Sequence, residues 1–99
     1  MKIEYAHAYK PREVYRRISQ LVPQLKERYA DQCTVLKEEW NAAHNHLDFE
    51  LRILTFDIEG TVELTDNAIT LEGKLPLLAK PFGKKIEREI RTALDDLLA

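Results

Sequence analysis

The sequence predicts an α+β fold in which an antiparallel sheet carries two amphipathic helices on one of its faces. Residues 58–75 alternate apolar and charged positions on both sides of Asp66-Asn67, which is typical of a β-hairpin with one buried face. Two other stretches repeat apolar residues at helical spacing. Only one sheet face is apolar, so both helices should pack on it. The predicted order is β-α-β-β-β-α, in a single domain over residues 1–99.

A two-residue turn at Asp66-Asn67 sets the register of the predicted hairpin. The facing apolar or glycine pairs are then Leu64 with Ile69, Val62 with Leu71, Gly60 with Gly73, and Ile58 with Leu75. Charged and threonine residues occupy the other face of both arms. We expect Asp66 and Asn67 to adopt the positive φ angles that such tight turns need.

The N-terminal third predicts a short strand followed by one long helix. Residues 2–8 alternate weakly and favour a strand. From Pro11, which suits a first helical position, apolar residues recur at helical spacing to about Ala30. Pro23 interrupts this helix and removes the bond to the Ser19 carbonyl. The apolar stripe keeps its phase across Pro23, so we expect one kinked helix rather than two.

The middle of the chain predicts further strands. Residues 33–40 favour a strand whose inward face stays open, because their alternation is poor. Residues 47–53 alternate clearly, as a half-buried strand does. The apolar phase then changes, which predicts a turn at Leu54-Thr55, although these residues are poor turn formers. This turn would pair Phe49 with Gly60.

Phe49, Gly60 and Gly73 are therefore expected in one row on the inner face of the sheet. Interior glycines weaken strands and usually mark a bulge or a close approach of other atoms. Two alternatives remain open for this row. The phenyl ring of Phe49 could cover the gap beside it, or the missing side chains could leave a trough for a helix or a ligand.

Residues 76–81 lead into a last helix that runs to about Leu98. Its expected buried stripe consists of Phe82, Ile86, Ile90, Ala93, Leu94 and Leu97. The charges oppose the helix dipole, with Lys80, Lys84, Lys85 and Arg88 at the start and Asp95 and Asp96 at the end. A basic helix start can bind phosphate or an acidic partner. A solvated face is the alternative.

The charge of the chain argues against a nucleic-acid partner. The net charge is −2, and residues 34–76 contain nine acidic residues against three basic ones. Such a sheet face would repel phosphate. One cysteine cannot form an internal disulfide, which fits a reducing compartment. No apolar stretch approaches the roughly 20 residues of a membrane span. We expect a cytoplasmic protein without a membrane span.

Catalysis and metal binding have little support in the residue pattern. The soft metal ligands are Cys33, His7, His44 and His46, and their spacing matches no recognised site. No orienting acid motif or oxyanion hole accompanies the thiol. The glycines form no phosphate-binding loop. We expect no catalytic residue, no metal, no cofactor and no enzymatic activity.

Several short motifs lie in the C-terminal two-thirds of the chain. They are Trp40, Leu47-Asp48-Phe49, Gly60-Thr61-Val62-Glu63-Leu64, and LEGKLPLLAKPFGKKIEREI over residues 71–90. With these motifs the chain resembles the polyhydroxyalkanoic acid system family of small bacterial proteins. His7 also fits the family's N-terminal pattern, whereas Pro23 departs from it.

The resemblance implies a protein encoded beside genes that make and use polyhydroxyalkanoate, a storage polyester held in cytoplasmic granules. It brings no catalytic residue. We therefore expect a non-enzymatic accessory protein, monomeric or homodimeric, that acts at the granule surface or on a granule-associated protein. Docking would use the basic start of the last helix, or Leu77 and Leu78 if these are exposed.

Two other functions remain open. The order helix, three strands, helix, with a basic last helix, resembles a double-stranded RNA-binding domain, but the loop motif of that family is missing. The second is a small acyl-ligand-binding protein that uses the trough beside Gly60 and Gly73.

Overall fold

The computed structural model describes residues 1–99 as a five-stranded antiparallel sheet with helices on one face. In chain order the elements are β1 (Lys2–Ala6), α1 (Pro11–Ile18), α2 (Leu21–Tyr29), β2 (Cys33–Trp40), β3 (His46–Ile53), β4 (Phe56–Leu64), β5 (Ala68–Lys74) and α3 (Gly83–Leu98). Short 3₁₀ turns occupy Ala30–Gln32 and Leu77–Phe82. The strands lie in the order β1-β5-β4-β3-β2. The α+β class is confirmed, with four strands rather than three between the helical regions.

The predicted registers of the two central strand pairs are confirmed. Val62 faces Leu71 across β4 and β5, and Phe49 faces Gly60 across β3 and β4. β1 adds itself to the free edge of β5, where Ile3 faces Leu71. This pairing places the N-terminal strand at one edge of the sheet.

The conformation predicted for the β4–β5 turn is wrong. Positive φ angles occur at Ala30, His44 and Leu54, and at neither Asp66 nor Asn67. The Thr65 side chain shapes the turn instead. Its Oγ1 accepts a hydrogen bond from the Ala68 amide at 3.1 Å, and the Thr65 amide donates to the Ala68 carbonyl at 2.9 Å. A threonine–backbone bond thus replaces the backbone conformation that we expected.

The single kinked helix that we predicted is divided into α1 and α2. A tight bond from the Gln20 amide to the Arg17 carbonyl, at 3.1 Å, closes α1. α2 begins at Leu21, so Pro23 lies in its first turn. Backbone amides in a first turn have no intrahelical acceptor, and proline therefore removes no bond there. The break relieves the conflict that a continuous helix would have with Pro23.

One apolar core lies between the inner face of the sheet and the helices. Val14, Ile18 and Leu94 from the helices are almost fully buried in the same cluster as Val62 and Leu71. Both helical regions therefore cover the apolar face, as predicted. The inward side of β2 carries Cys33, Val35 and Trp40, which lie in the core or pack against it. The ladder of β2 with β3 shifts register between Val35 and Lys37. This irregularity explains the poor alternation of that strand.

Candidate functional site

The two most exposed large apolar side chains, Leu77 and Leu78, lie in the 3₁₀ turn between β5 and α3, which also contains Phe82. Leu77 is 75% exposed, Leu78 is 79% exposed and Phe82 is 46% exposed. The Phe82 ring packs against Phe56 at the start of β4, with 5.8 Å between ring centroids. Phe56, Leu77, Leu78 and Phe82 are called the apolar patch below. An apolar surface of this kind on a small protein is typical of an interaction site.

The local sequence explains why the leucines point outward. Ala79 is the one buried residue of the turn, and its amide bonds to the Pro76 carbonyl at 2.9 Å. Pro76 begins the turn, and Pro81 lies inside it. A small buried residue between two prolines anchors the turn, so Leu77 and Leu78 are not needed for its attachment to the core.

Four exposed cations follow the leucines along the chain. Lys80, Lys84, Lys85 and Arg88, called the basic cluster below, form no ion pair with any carboxylate. Arg91, one turn further along α3, pairs with Glu87 at 3.7 Å. The predicted binding residues therefore adjoin the exposed leucines along the chain, and none of them is ion-paired.

Phe82 was wrongly assigned to the buried stripe of the last helix. It lies in the 3₁₀ turn, because α3 begins only at Gly83. The sequence pattern does not indicate that Phe56 belongs to the site. Pro81 is the local signal that places Phe82 outside the helix, because proline interrupts a helix and favours a helix start after it. The contact between Phe56 and Phe82 joins two distant segments, so no local pattern indicates it.

The trough predicted beside Gly60 and Gly73 is filled by the protein's own side chains. A methyl group at Gly60 would lie 2.9 Å from Cε1 of Phe49, whose ring covers this position. At Gly73 the methyl group would lie 2.7 Å from Cε of Met1. The row of Phe49, Gly60 and Gly73 is thus a packing feature. The space on the inner face that the expected ligand trough would have used is occupied by Phe49 and Met1.

The outer face of the sheet is charged and carries no helix. Lys37, Glu50, Glu59 and Lys74 face one another in a row across β2, β3, β4 and β5. A lysine therefore flanks the two central carboxylates on each side. Such a row compensates most of its own charge and is typical of a solvated face.

His46 also lies on this outer face, between two carboxylates. Its Nδ1 contacts Glu63, and its Nε2 lies 3.1 Å from Oδ1 of Asp48. The hydrogen bond with Glu63, followed by that with Asp48, raises the pKa of His46. Both carboxylates favour the charged imidazolium. The arrangement stabilises the strand pair β3–β4 and holds the ring in place.

The other soft ligands occupy separate contacts. Cys33 is buried in the core. His7 places Nε2 at 2.8 Å from the Thr65 carbonyl oxygen, and the Tyr9 amide donates to its Nδ1 at 3.1 Å. His44 stacks on Tyr15 with 4.4 Å between ring centroids. No group of three or more histidine, cysteine or acidic residues is arranged to hold a metal.

Comparison with known proteins assigns the chain to a family. A family model described as "Putative polyhydroxyalkanoic acid system protein" matches residues 1–98. The chain belongs to this family. No curated protein and no solved structure matches it. The match to the polyhydroxyalkanoic acid system family includes the N-terminal third as well as the C-terminal two-thirds that contains the motifs.

The longest motif that resembles the polyhydroxyalkanoic acid system family coincides with the candidate site. Residues 71–90 contain the end of β5, the turn Leu77–Phe82 and the start of α3. Most of the apolar patch and the whole basic cluster therefore lie inside this motif. None of the helices of this family member is both long enough and apolar enough to cross a membrane.

Proposed function

We propose that the chain is a non-enzymatic accessory protein of polyhydroxyalkanoate metabolism that docks on storage granules through the apolar patch. Membership of the polyhydroxyalkanoic acid system family supports the metabolic setting. The observation that carries the docking mode is the exposure of Leu77 and Leu78, at 75% and 79%. These two side chains lie in the longest motif that resembles the family and are not part of the buried core.

The physical driving force is the removal of apolar surface from water. A storage polyester presents an apolar surface, and full burial of a leucine side chain is worth roughly 1.5–3 kcal/mol. Leu77 and Leu78 together would therefore contribute roughly 3–6 kcal/mol before the costs of association. The costs of association offset much of this contribution, so docking would be weak and reversible, which suits an accessory protein that exchanges with the cytoplasm.

Under the same proposal, the protein catalyses no reaction. Cys33 is the single thiol of the chain, and burial raises the pKa of its side chain. A buried thiol with a raised pKa is a poor nucleophile. We expect that incubation of the protein with purified polymer releases no soluble hydroxyacid. Release of hydroxyacid that requires the folded protein would contradict a non-enzymatic role.

Co-sedimentation with purified, lipid-free and protein-free polyhydroxyalkanoate particles tests the docking. The wild-type protein should pellet with the particles, and the double variant Leu77→Ser/Leu78→Ser should stay in the supernatant. Leu36→Ser is the matched control, because Leu36 is an exposed leucine of β2 outside the patch. It should pellet like the wild type.

The outcomes separate two kinds of granule partner. Wild-type protein that stays wholly in the supernatant, even with native granules, would end the docking proposal. Binding to native granules but not to pure polymer would move the partner to a protein or lipid of the granule coat. Deleting the gene and measuring polymer content and granule size tests the accessory role in the cell.

A further inference from the structure

The basic cluster has no role in contact with a bare polyester, because a neutral polymer offers no charge to bind it. We infer that the apolar patch and the basic cluster together form a docking surface for an anionic phospholipid layer. This inference rests on the proposed function, in which the same patch faces the granule, and it assigns the chemistry of the contacted layer. Leu77, Leu78 and Phe82 would enter the acyl region, and the four cations would lie among the headgroups.

The order of residues in this segment fits an interfacial position. Exposed leucines at 77 and 78 are followed by Lys80, then by Phe82, then by Lys84 and Lys85. Segments that bind in the plane of a lipid interface combine apolar side chains below the headgroups with lysine or arginine at headgroup level. Long lysine side chains can reach the headgroups while their methylene groups remain in apolar surroundings.

The charge around the patch is complementary to an anionic layer. The neighbouring carboxylates are already paired: Glu87 with Arg91, Glu89 with Arg28, and Asp57 with Arg52. None of the four cations of the basic cluster is paired, so the net charge of this end of the molecule is positive. Lys80, Lys84 and Arg88 also repeat at intervals of four residues, which places Lys84 and Arg88 on one face of α3.

The acidic outer face of the sheet fixes the orientation of docking. Beside the row in which Lys37 and Lys74 compensate Glu50 and Glu59, the same face carries Asp48, Glu63 and Glu72, so it is acidic in sum and an anionic layer would repel it. The sheet therefore faces away from the lipid, while the junction of the 3₁₀ turn and α3 faces towards it. A free phosphate ion could bind the cations, but it would leave Leu77 and Leu78 in water, so the inferred partner is a lipid layer.

Flotation with vesicles tests the inference. One vesicle preparation contains phosphatidylcholine alone, and in the other phosphatidylglycerol replaces about a third of it. The wild-type protein should float with the anionic vesicles and not with the neutral ones. Raising the salt from about 0.1 M to about 1 M shortens the screening length from about 10 Å to about 3 Å and should weaken binding strongly.

Matched charge variants identify the cations responsible. Lys84→Gln/Lys85→Gln should lower the partition coefficient on anionic vesicles on the order of 30-fold, given about 5-fold for each cation near an anionic surface. Lys10→Gln/Arg12→Gln removes the same charge from two exposed, unpaired cations near the start of α1 and should change it by less than about 5-fold. Leu77→Ser/Leu78→Ser should also lose flotation. Circular dichroism confirms that each variant is folded.

Several outcomes overturn the inference. They are failure of the wild type to float with anionic vesicles at low salt, equal binding to both vesicle types, and an equal loss in both charge variants. Pelleting with lipid-free polymer without flotation would remove the lipid layer and leave granule docking intact. Flotation without association with polymer or granules would contradict granule docking and leave lipid binding intact.

Discussion

Gly60 and Gly73 face each other across β4 and β5, but an added methyl group would meet different atoms at the two positions. At Gly60 it would lie 2.7 Å from the Glu72 backbone oxygen and against the Phe49 ring. At Gly73 it would meet only the flexible end of Met1 within 3 Å. We expect Gly60→Ala to lower the free energy of unfolding by about 1–3 kcal/mol, as overpacking does. Gly73→Ala should cost clearly less, because a thioether moves easily.

Urea unfolding of both glycine variants measures this difference. The two substitutions are chemically identical and lie in neighbouring strands, so each controls for the other. Equal losses of stability would mean that the Phe49 ring moves as freely as the Met1 side chain.

His46 provides a prediction about pH. The hydrogen bonds with Glu63 and Asp48 raise its pKa in the folded protein. A raised pKa means that this stabilisation is fully present below the pKa of the unfolded chain. It is lost as the pH rises through the higher pKa of the folded protein. NMR titration of the His46 ring should show a pKa above that of the urea-unfolded chain.

The partners of His46 supply the control for that titration. Glu63→Gln should lower the pKa of His46, because it removes the largest cause of the shift. Glu59→Gln changes a carboxylate of the same strand that has no contact with His46, and it should shift the pKa far less. Similar shifts in both variants would indicate a general effect of the acidic face.

At the scale of elements, α1 is stabilised in its first turn by charge. Glu13 accepts hydrogen bonds from Arg16 and Arg17, and the bond with Arg16 is the largest cause that lowers its pKa to about 2. An acidic residue near a helix start also complements the helix dipole. The break at Ser19 and Gln20 leaves α1 only eight residues long, so such local interactions matter more than in a longer helix.

Acid should therefore weaken the attachment of α1. A lowered pKa gives stability that is present above the ordinary glutamate value of 4.5 and is lost as the pH falls towards about 2. Glu13→Gln lacks this contribution at every pH. We expect the difference in unfolding free energy between wild type and Glu13→Gln to shrink as the pH falls through this window. Urea unfolding at neutral pH and near the lower end of the window measures it, and a constant difference would contradict the assignment.

At the scale of the whole molecule, the charges at the two ends of α3 differ in whether they have partners. The acidic C-terminal end is compensated by distant cations: Arg28 pairs with Asp96 at 2.5 Å, and Arg17 donates to the Leu97 carbonyl at 2.9 Å. The N-terminal end keeps four cations without partners. The fold thus neutralises one unfavourable end of the helix dipole and leaves the other available for a partner.

The leucines of the last third divide into a folding set and a docking set. Leu94 is fully buried between α3 and the sheet, so Leu94→Ala should lower the unfolding free energy by about 2–5 kcal/mol. Leu78 is mostly exposed, and Leu78→Ala should change it by less than about 0.5 kcal/mol. Thermal and urea unfolding measure both. A large loss in Leu78→Ala would mean that the apolar patch is part of the core.

The sequence by itself determined the strand registers of β3, β4 and β5 and the apolar face that the helices cover. Alternation with a period of two excludes a one-residue shift, which would expose the whole apolar set, and the two-residue turn at Asp66-Asn67 excludes longer shifts, so Val62 faces Leu71. The apolar stripes of the helices also follow from the local sequence alone. The cations Lys80 and Lys84 and the leucines of the turn were also visible as candidates, because exposed charge and short apolar runs are properties of the chain itself.

Tertiary structure alone decided the rest. The pairing of β1 with β5, the contact of Phe56 with Phe82, and the covering of Gly60 depend on residues far apart in the chain. The exposure of Leu77 likewise depends on Ala79, which anchors the turn in the core. A local pattern states which side chains prefer to be buried. Which of them find a partner depends on the space that the other elements leave, and that is a property of the packed molecule.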